Sequence, residues 1–262
     1  MDTPVSVIID GAHLLALGQQ VWWVALRLGA MLMVAPMIGT YAVPMRIRVL
    51  LALTLSTALA PLFPAAPAAA LDAATVLAVT RELAIGAALG FVFRLALEAA
   101  ALGGEMIAQA MGLSFAQMID PMRGVQSPVM GQWFTLVAGL CFFALDGHLA
   151  LVQAVAESYR LLAPGATPAS LAGLLDAVPA FAVTMFAAGV GLALPIVFAM
   201  LAVNLAFGVL ARTAPALNPI AIGLPAALLL GLVLLTALLP HLLAPLRSLF
   251  ETTATTAAHL LS

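Results

Sequence analysis

The sequence predicts an all-α, polytopic membrane protein of kinked helical hairpins. Three features lead there. The 262-residue chain is 65% hydrophobic and only 8% charged, where soluble domains run about 45–50% apolar and about 25% charged. It contains about six long apolar segments, and prolines interrupt the longest of them. A mean hydropathy of +1.18 excludes a soluble enzyme and a disordered chain. The nine basic residues, all arginine, are set against eleven acidic ones, so no basic field exists to attract nucleic acid. The single Cys141 excludes a disulfide framework and every cysteine-based metal motif. No polar linker divides residues 1–262, so one integral membrane domain is expected.

A span needs about 20 apolar residues, and each segment is judged against that. The first, 21–40, opens on Trp22 and Trp23, where an interfacial aromatic belt would sit. The second, 49–63, is short. The third, 73–102, carries Arg81, Glu82, Arg94 and Glu98. The fourth is centred on 131–145 and reaches from 127 to about 155. The fifth, 171–211, is too long for one straight crossing and holds Pro179 and Pro195. The sixth, 219–246, holds Pro225 and Pro240. Counting Pro215, Pro219 and Pro245 as well, the C-terminal half fits bent hairpins packed on other protein, which re-satisfies the backbone groups that proline frees. Asp2 and Asp10, with no positive n-region, argue against a cleavable signal peptide. Loop arginines favour both termini outside: Arg46, Arg48, Arg123 and Arg212 fall on one side, Arg160 and Arg247 on the other.

Polar residues at membrane depth are costly and need an explanation. Arg94 and Glu98, spaced i, i+4, make a possible intramembrane polar pair. Arg81 and Glu82 near a helix start are expected at the interface. Asp146-Gly147-His148 reads as a helix end, and Asn204 as hydrogen-bond glue between helices. Hydrolase and zinc-protease signatures are missing, and without lysine there is no phosphate-binding loop. Catalysis and cofactors are therefore not expected.

Residues 103–130 are read as no span at all. This stretch opens on Gly103-Gly104, is broken by Asp120-Pro121 and Ser127-Pro128, and holds Met106, Met111, Met118, Met122 and Met130, five of the twelve methionines. Two readings stand: a core loop whose methionines fill irregular gaps, or a compliant thioether seal with Phe115 that closes a pore by dewetting. Gly104, Gly112 and Gly124 would let such a loop bend.

An ordered set of short motifs resembles a known family. It runs Arg27-Leu28-Gly29 to Pro36, Val43-Pro44-Met45-Arg46-Ile47-Arg48, Pro61, Gly103-Gly104-Glu105, and Met111-Gly112-Leu113-Ser114-Phe115-Ala116 with Asp120-Pro121. It continues with Asp146-Gly147-His148, Ala193-Leu194-Pro195, Arg212-Thr213-Ala214-Pro215, Asn218 and Gly223-Leu224-Pro225. Over residues 21–246 the chain resembles the FliR/SctT family of type III export-gate membrane proteins, and residues 112–121 look more like its flagellar than its injectisome (virulence) branch. Two positions depart from the family pattern: Ala216-Leu217 replaces Gln-Met, and Pro219 stands for an aliphatic residue.

The resemblance implies a FliP-like part joined to a FliQ-like part, in a multi-pass inner-membrane protein at the flagellar basal body. It implies FliP-like and FliQ-like partners, with FlhB-like and FlhA-like subunits nearby, and unfolded secreted flagellar proteins as substrates. It places the Gly112–Ala116 region at the pore plug, which selects Met106, Met111, Phe115 and Met118 as sealing residues and Gly112 as a hinge. Arg212, Pro215 and Asn218 become subunit-contact or turn-fixing residues. A small ion-coupled secondary transporter, using Arg94, Glu98, Asp146 and His148, is the reading from a different class.

Overall fold

The computed structural model describes residues 11–64, 72–113, 129–163, 172–213 and 219–259, which form seven α-helices, one 3-10 turn and no strand. In order these are α1 (Gly11–Val34), α2 (Met45–Leu59) running into the 3-10 turn Ala60–Leu62, α3 (Ala73–Ala110), α4 (Val129–Ala144), α5 (Gly147–Leu161), α6 (Ala172–Thr213) and α7 (Pro219–His259). Four helical stretches are long and apolar enough to cross a membrane, in α2 with its turn, α3, α6 and α7, and the bent pair α4–α5 makes a fifth. The first apolar segment folds into α1, which is not among them. Gln19, Gln20 and Arg27 dilute its hydropathy.

Local chemistry sets the ends. The backbone N–H of Thr75 donates to the Asp72 side chain at 2.8 Å, one turn into α3. That bond holds the Asp72 carboxyl below its ordinary range. Pro219 opens α7, where its missing N–H costs nothing. Pro179 and Pro195 lie inside α6, and Pro225, Pro240 and Pro245 inside α7, without ending either helix. At 1.5 Å per residue these helices are about 60 Å long, twice a hydrocarbon core of about 30 Å.

The chain divides into two compact units. The first comprises residues 1–94, 149–178 and 254–262; the second comprises 95–148 and 179–253. In the first, α1 buries Trp23, Val24, Arg27, Leu28, Met31 and Leu32. Gly86 and Gly90 of α3 form a small-xxx-small pair against that helix. A methyl on Gly90 would lie 2.5 Å from the Met31 carbonyl oxygen, and one on Gly86 would overlap the Arg27 carbonyl. Gln20 Nε2 donates to the carbonyls of Ala60 and Phe63, at 2.6 and 2.7 Å, and so ties the end of the 3-10 turn to α1.

In the second unit the expectation for residues 103–130 needs correction. Helix α3 runs straight through Gly103-Gly104 to Ala110. The two glycines do not break it, because they serve close packing. A methyl on Gly103 would fall 3.0 Å from the Gly189 carbonyl oxygen of α6, and one on Gly104 would fall 2.7 Å from the Met130 carbonyl oxygen of α4. Gly189 faces Ala99 and Leu102 in the same way. Interlocked backbones replace the flexible entry that a glycine pair suggests in sequence.

Replacing Gly86 or Gly90 with valine should lower the thermal unfolding midpoint of the detergent-solubilised chain and weaken its resistance to protease, by about 2 kcal/mol or more. Gly191→Ala and Gly208→Ala, where a methyl meets open space, should leave both readouts unchanged.

Candidate functional site

The methionine-rich region begins inside the last turns of α3 and continues past its end. Gly112 adopts a φ of 79°, a left-handed conformation that L side chains avoid. Its N–H donates to the Gln109 carbonyl and the Leu113 N–H to the Ala108 carbonyl, both at 3.0 Å. Together these bonds make a Schellman C-cap, which satisfies the last free carbonyls of the helix. Met111, one residue earlier, is buried at 2% exposure. Its side chain lies across Gly231 of α7: a methyl there would sit 2.5 Å from Met111 Cγ, 2.8 Å from Cε and 3.0 Å from Sδ. From α6, Asn204 Nδ2 donates to the Ala110 carbonyl at 3.3 Å, in keeping with its reading as interhelical glue. Met106 is half-buried. Where the chain re-enters at α4, Met130 and Phe134 close on Gly104, and Glu105 lies against Gly131. Phe115 and Met118 lie outside the described residues.

The other selected residues are not gathered here. Arg94 and Glu98 sit one turn apart on α3 with exposed side chains, and neither is without an interaction partner. Arg212 is exposed in the last turn of α6, and Pro215 and Asn218 fall outside the described residues. Asp146, at a φ of 57°, forms the turn between α4 and α5, which confirms Asp146-Gly147-His148 as a helix end. His148 continues into α5 near the Phe143 ring, at 5.5 Å.

The strongest electrostatic feature was missed in the sequence. Arg81 and Glu82, expected at the interface, are buried, at 2% and 0% exposure. Arg27 of α1 is equally buried. Its Nε donates to Glu82 Oε2 at 2.7 Å and its Nη2 to Oε1 at 3.0 Å, a bidentate fork across α1 and α3. Nη1 donates to Ser158 Oγ at 2.8 Å, and Nη2 also to the Leu162 carbonyl at 3.0 Å, which recruits α5 and its C-terminal end. Arg27 Cζ stacks 4.0 Å from the centre of the Tyr159 ring, and the Tyr159 hydroxyl donates to the Val24 carbonyl at 2.9 Å. The correction has a physical cause. A desolvated carboxylate is tolerable when a guanidinium matches both its oxygens, and the partner lies 55 residues away, beyond any local motif. A lone arginine in an otherwise uncharged helix was the available signal.

The model of a family described as bacterial export proteins, family 1, matches residues 19–253. The chain is 34% identical to flagellar biosynthetic protein FliR of Escherichia coli (strain K12) over 224 residues, covering 86% of this chain and 85% of that one. It is 34% identical to FliR of Caulobacter vibrioides over 80% of this chain and 84% of that one. With FliR of Bacillus subtilis it shares 26% over 91% and 93%. The chain belongs to the FliR family of bacterial export proteins. The stretch matched by the family model contains both the α3 C-cap with its α6 and α7 contacts and the Arg27 cluster.

Alanine at Arg27 or Glu82 strands one buried charge in this FliR-family chain and should destabilise it by about 3–5 kcal/mol, seen as a lower unfolding midpoint in detergent. The double variant Arg27→Leu with Glu82→Leu should cost less than the sum of the two singles. Arg27→Lys, which keeps the charge but loses the fork, should fall between wild type and Arg27→Ala.

Proposed function

We propose that this chain is the FliR subunit of a flagellar type III export gate in the bacterial inner membrane, and that the segment around residues 106–118 seals its pore. The observation that carries the proposal is the FliR likeness along four-fifths or more of the chain. Those relatives are flagellar proteins, which favours the flagellar over the injectisome reading. The two compact units then act as one export-gate domain, and the gate passes unfolded flagellar proteins. FliP-like and FliQ-like subunits cover the helices, with FlhB-like and FlhA-like subunits close by.

The physical chemistry supports an assembly. In the most apolar windows of α6 and α7, only 28% and 22% is buried within the chain. Both helices outrun a bilayer, so protein partners are a better cover than lipid for their full length. The role in the gate is structural and non-enzymatic. A pore wide enough for an unfolded chain leaks ions unless something compliant fills it. Methionine and phenylalanine side chains repack around whatever passes and exclude water when nothing does. Met106, Met111, Phe115 and Met118 serve as that seal with Gly112 as its hinge, and Arg212, Pro215 and Asn218 fix the α6–α7 turn at a subunit contact.

Two measurements check this. Detergent extracts should yield the chain together with FliP-like and FliQ-like subunits; a chain migrating alone or as a homo-oligomer points to a transporter instead. Phe115→Ala combined with Met118→Ala should raise ion leakage across the membrane by about tenfold, the usual effect of losing about 1.4 kcal/mol of sealing contact, while co-purification is retained. A tight membrane in that variant sinks the seal.

A further inference from the structure

We infer that the turn joining α1 to α2 is a docking site for the headgroup of an anionic phospholipid, with Arg46 meeting the phosphodiester and Tyr41 standing at headgroup level. The site is independent of the seal proposed above. It starts from a charge that local chemistry does not explain. A helix start favours acidic residues, because its free N–H groups and its dipole are positive there. Helix α2 has no acid in its first turn, and it has two arginines, Arg46 and Arg48. From residue 11 to residue 71 the sequence holds no Asp or Glu at all. Arg48 is accounted for as a brace: its Nε donates to the Val43 carbonyl at 3.0 Å, and its Nη2 to the carbonyls of Thr40 and Val43 at 2.6 and 2.8 Å. Those acceptors are neutral, so its charge is held without being balanced. Arg46 is exposed and meets no acid among the described residues.

The turn that carries these charges is a fixed platform. The Gly39 N–H donates to the Ala35 carbonyl at 2.8 Å, and Thr40 Oγ1 to the Met37 carbonyl at 3.0 Å. Met37 is held at a φ of 61°, a left-handed conformation that a residue with a side chain keeps only where its surroundings impose it. On this platform Tyr41 is fully exposed, and Met45, Ile47 and Leu50 are exposed at the start of α2. A tyrosine ring and a guanidinium at the end of an apolar helix suit a membrane interface, where the ring lies among headgroups and the cation reaches phosphate. The helix that follows has the length for it: α2 with its 3-10 turn can cross a membrane, and only 17% of that stretch is buried within the chain. An uncovered apolar flank thus leads from Arg46 into the hydrocarbon. By the loop arginines this turn faces the cytoplasm, where anionic lipids make the membrane surface negative.

The experiment uses the full chain in mild detergent with equal amounts of phosphatidylglycerol and phosphatidylcholine, and native mass spectrometry reads which lipid is retained. The wild-type chain should retain phosphatidylglycerol over phosphatidylcholine by about fivefold or more, the effect of one arginine near a membrane surface. Arg46→Gln should lower that preference about fivefold, and Arg46→Glu about twenty-five-fold, since an attraction is lost and a repulsion added. Arg46→Lys, which keeps the charge, should stay within about twofold of wild type. Arg247→Gln, taken from an exposed pair with Glu251, should leave the preference unchanged. Equal retention of the two lipids by the wild-type chain overturns the site and leaves Arg46 to an acidic protein partner. A wild-type preference in Arg46→Glu, or an equal loss in Arg247→Gln, overturns it too, because the selectivity would then lie elsewhere or belong to the charge of the whole chain. Inorganic phosphate in excess should displace no phosphatidylglycerol; displacement points to a simple anion site and overturns the lipid assignment. The level of the turn is read in lipid nanodiscs with a fluorophore on Tyr41→Cys in a Cys141→Ser chain. It should lose more fluorescence to headgroup spin labels than to mid-chain ones, and the reverse order overturns the docking site.

Discussion

A single guanidinium organises the first compact unit. Between apolar helices in lipid there is little hydrophobic preference for one neighbour over another, since lipid tails and leucine side chains are alike. Arg27 supplies the preference. Its fork accepts one geometry of Glu82, and its remaining donors accept one placement of Ser158 and Leu162. Any other register of α1 against α3 or α5 leaves a buried charge without its partner, at a cost larger than the packing differences between registers. Phe63 and Tyr159, with ring centres 4.7 Å apart, then build the apolar wall around the fork.

Glycine does for close approach what Arg27 does for register. The positions where a methyl would collide with a neighbouring helix backbone include Gly86 and Gly90 on the first half of α3, and Gly103, Gly104 and Gly189 in the second unit. They lie on two helices of very ordinary apolar composition. The long helices are therefore specified by where side chains are missing. A 65% hydrophobic chain can in this way keep defined packing while leaving much of α6 and α7 uncovered.

Much of the fold was legible in the sequence, and the failures share a cause. Helix α6 was anticipated within about two residues at each end, because its apolar run is bounded by polar turns. The all-helical class followed from composition together with apolar runs long enough for helical spans. The helix end at Asp146 was also readable, since it depends on local chemistry, and a bonding role for Asn204 followed from its being polar in an apolar run, though not its partner on α3. What was not readable is anything settled by a distant partner. Gly103-Gly104 looks like a breaker until Gly189 and Met130 are placed against it. Glu82 looks interfacial until Arg27 is brought to it, and Met111 looks like its neighbours until Gly231 gives it a groove. The interior prolines of α7 likewise sit in an unbroken helix that extends from the expected end near residue 246 to His259.

The Arg27 fork also bears on how the protein is made. The arginine leaves the ribosome 55 residues before Glu82 and 131 before Ser158. At the usual synthesis rate of about 5–20 residues per second, the carboxylate follows about 3–11 s later. Throughout that interval α1 carries a charge that costs about 2.5–3.5 kcal/mol to place at the centre of a bilayer. The first helix is thus a poor membrane anchor at the moment it emerges and becomes a stable one only when the third arrives. Once Glu82 is present the charge is matched, so the order of synthesis bears on how α1 and α3 come together.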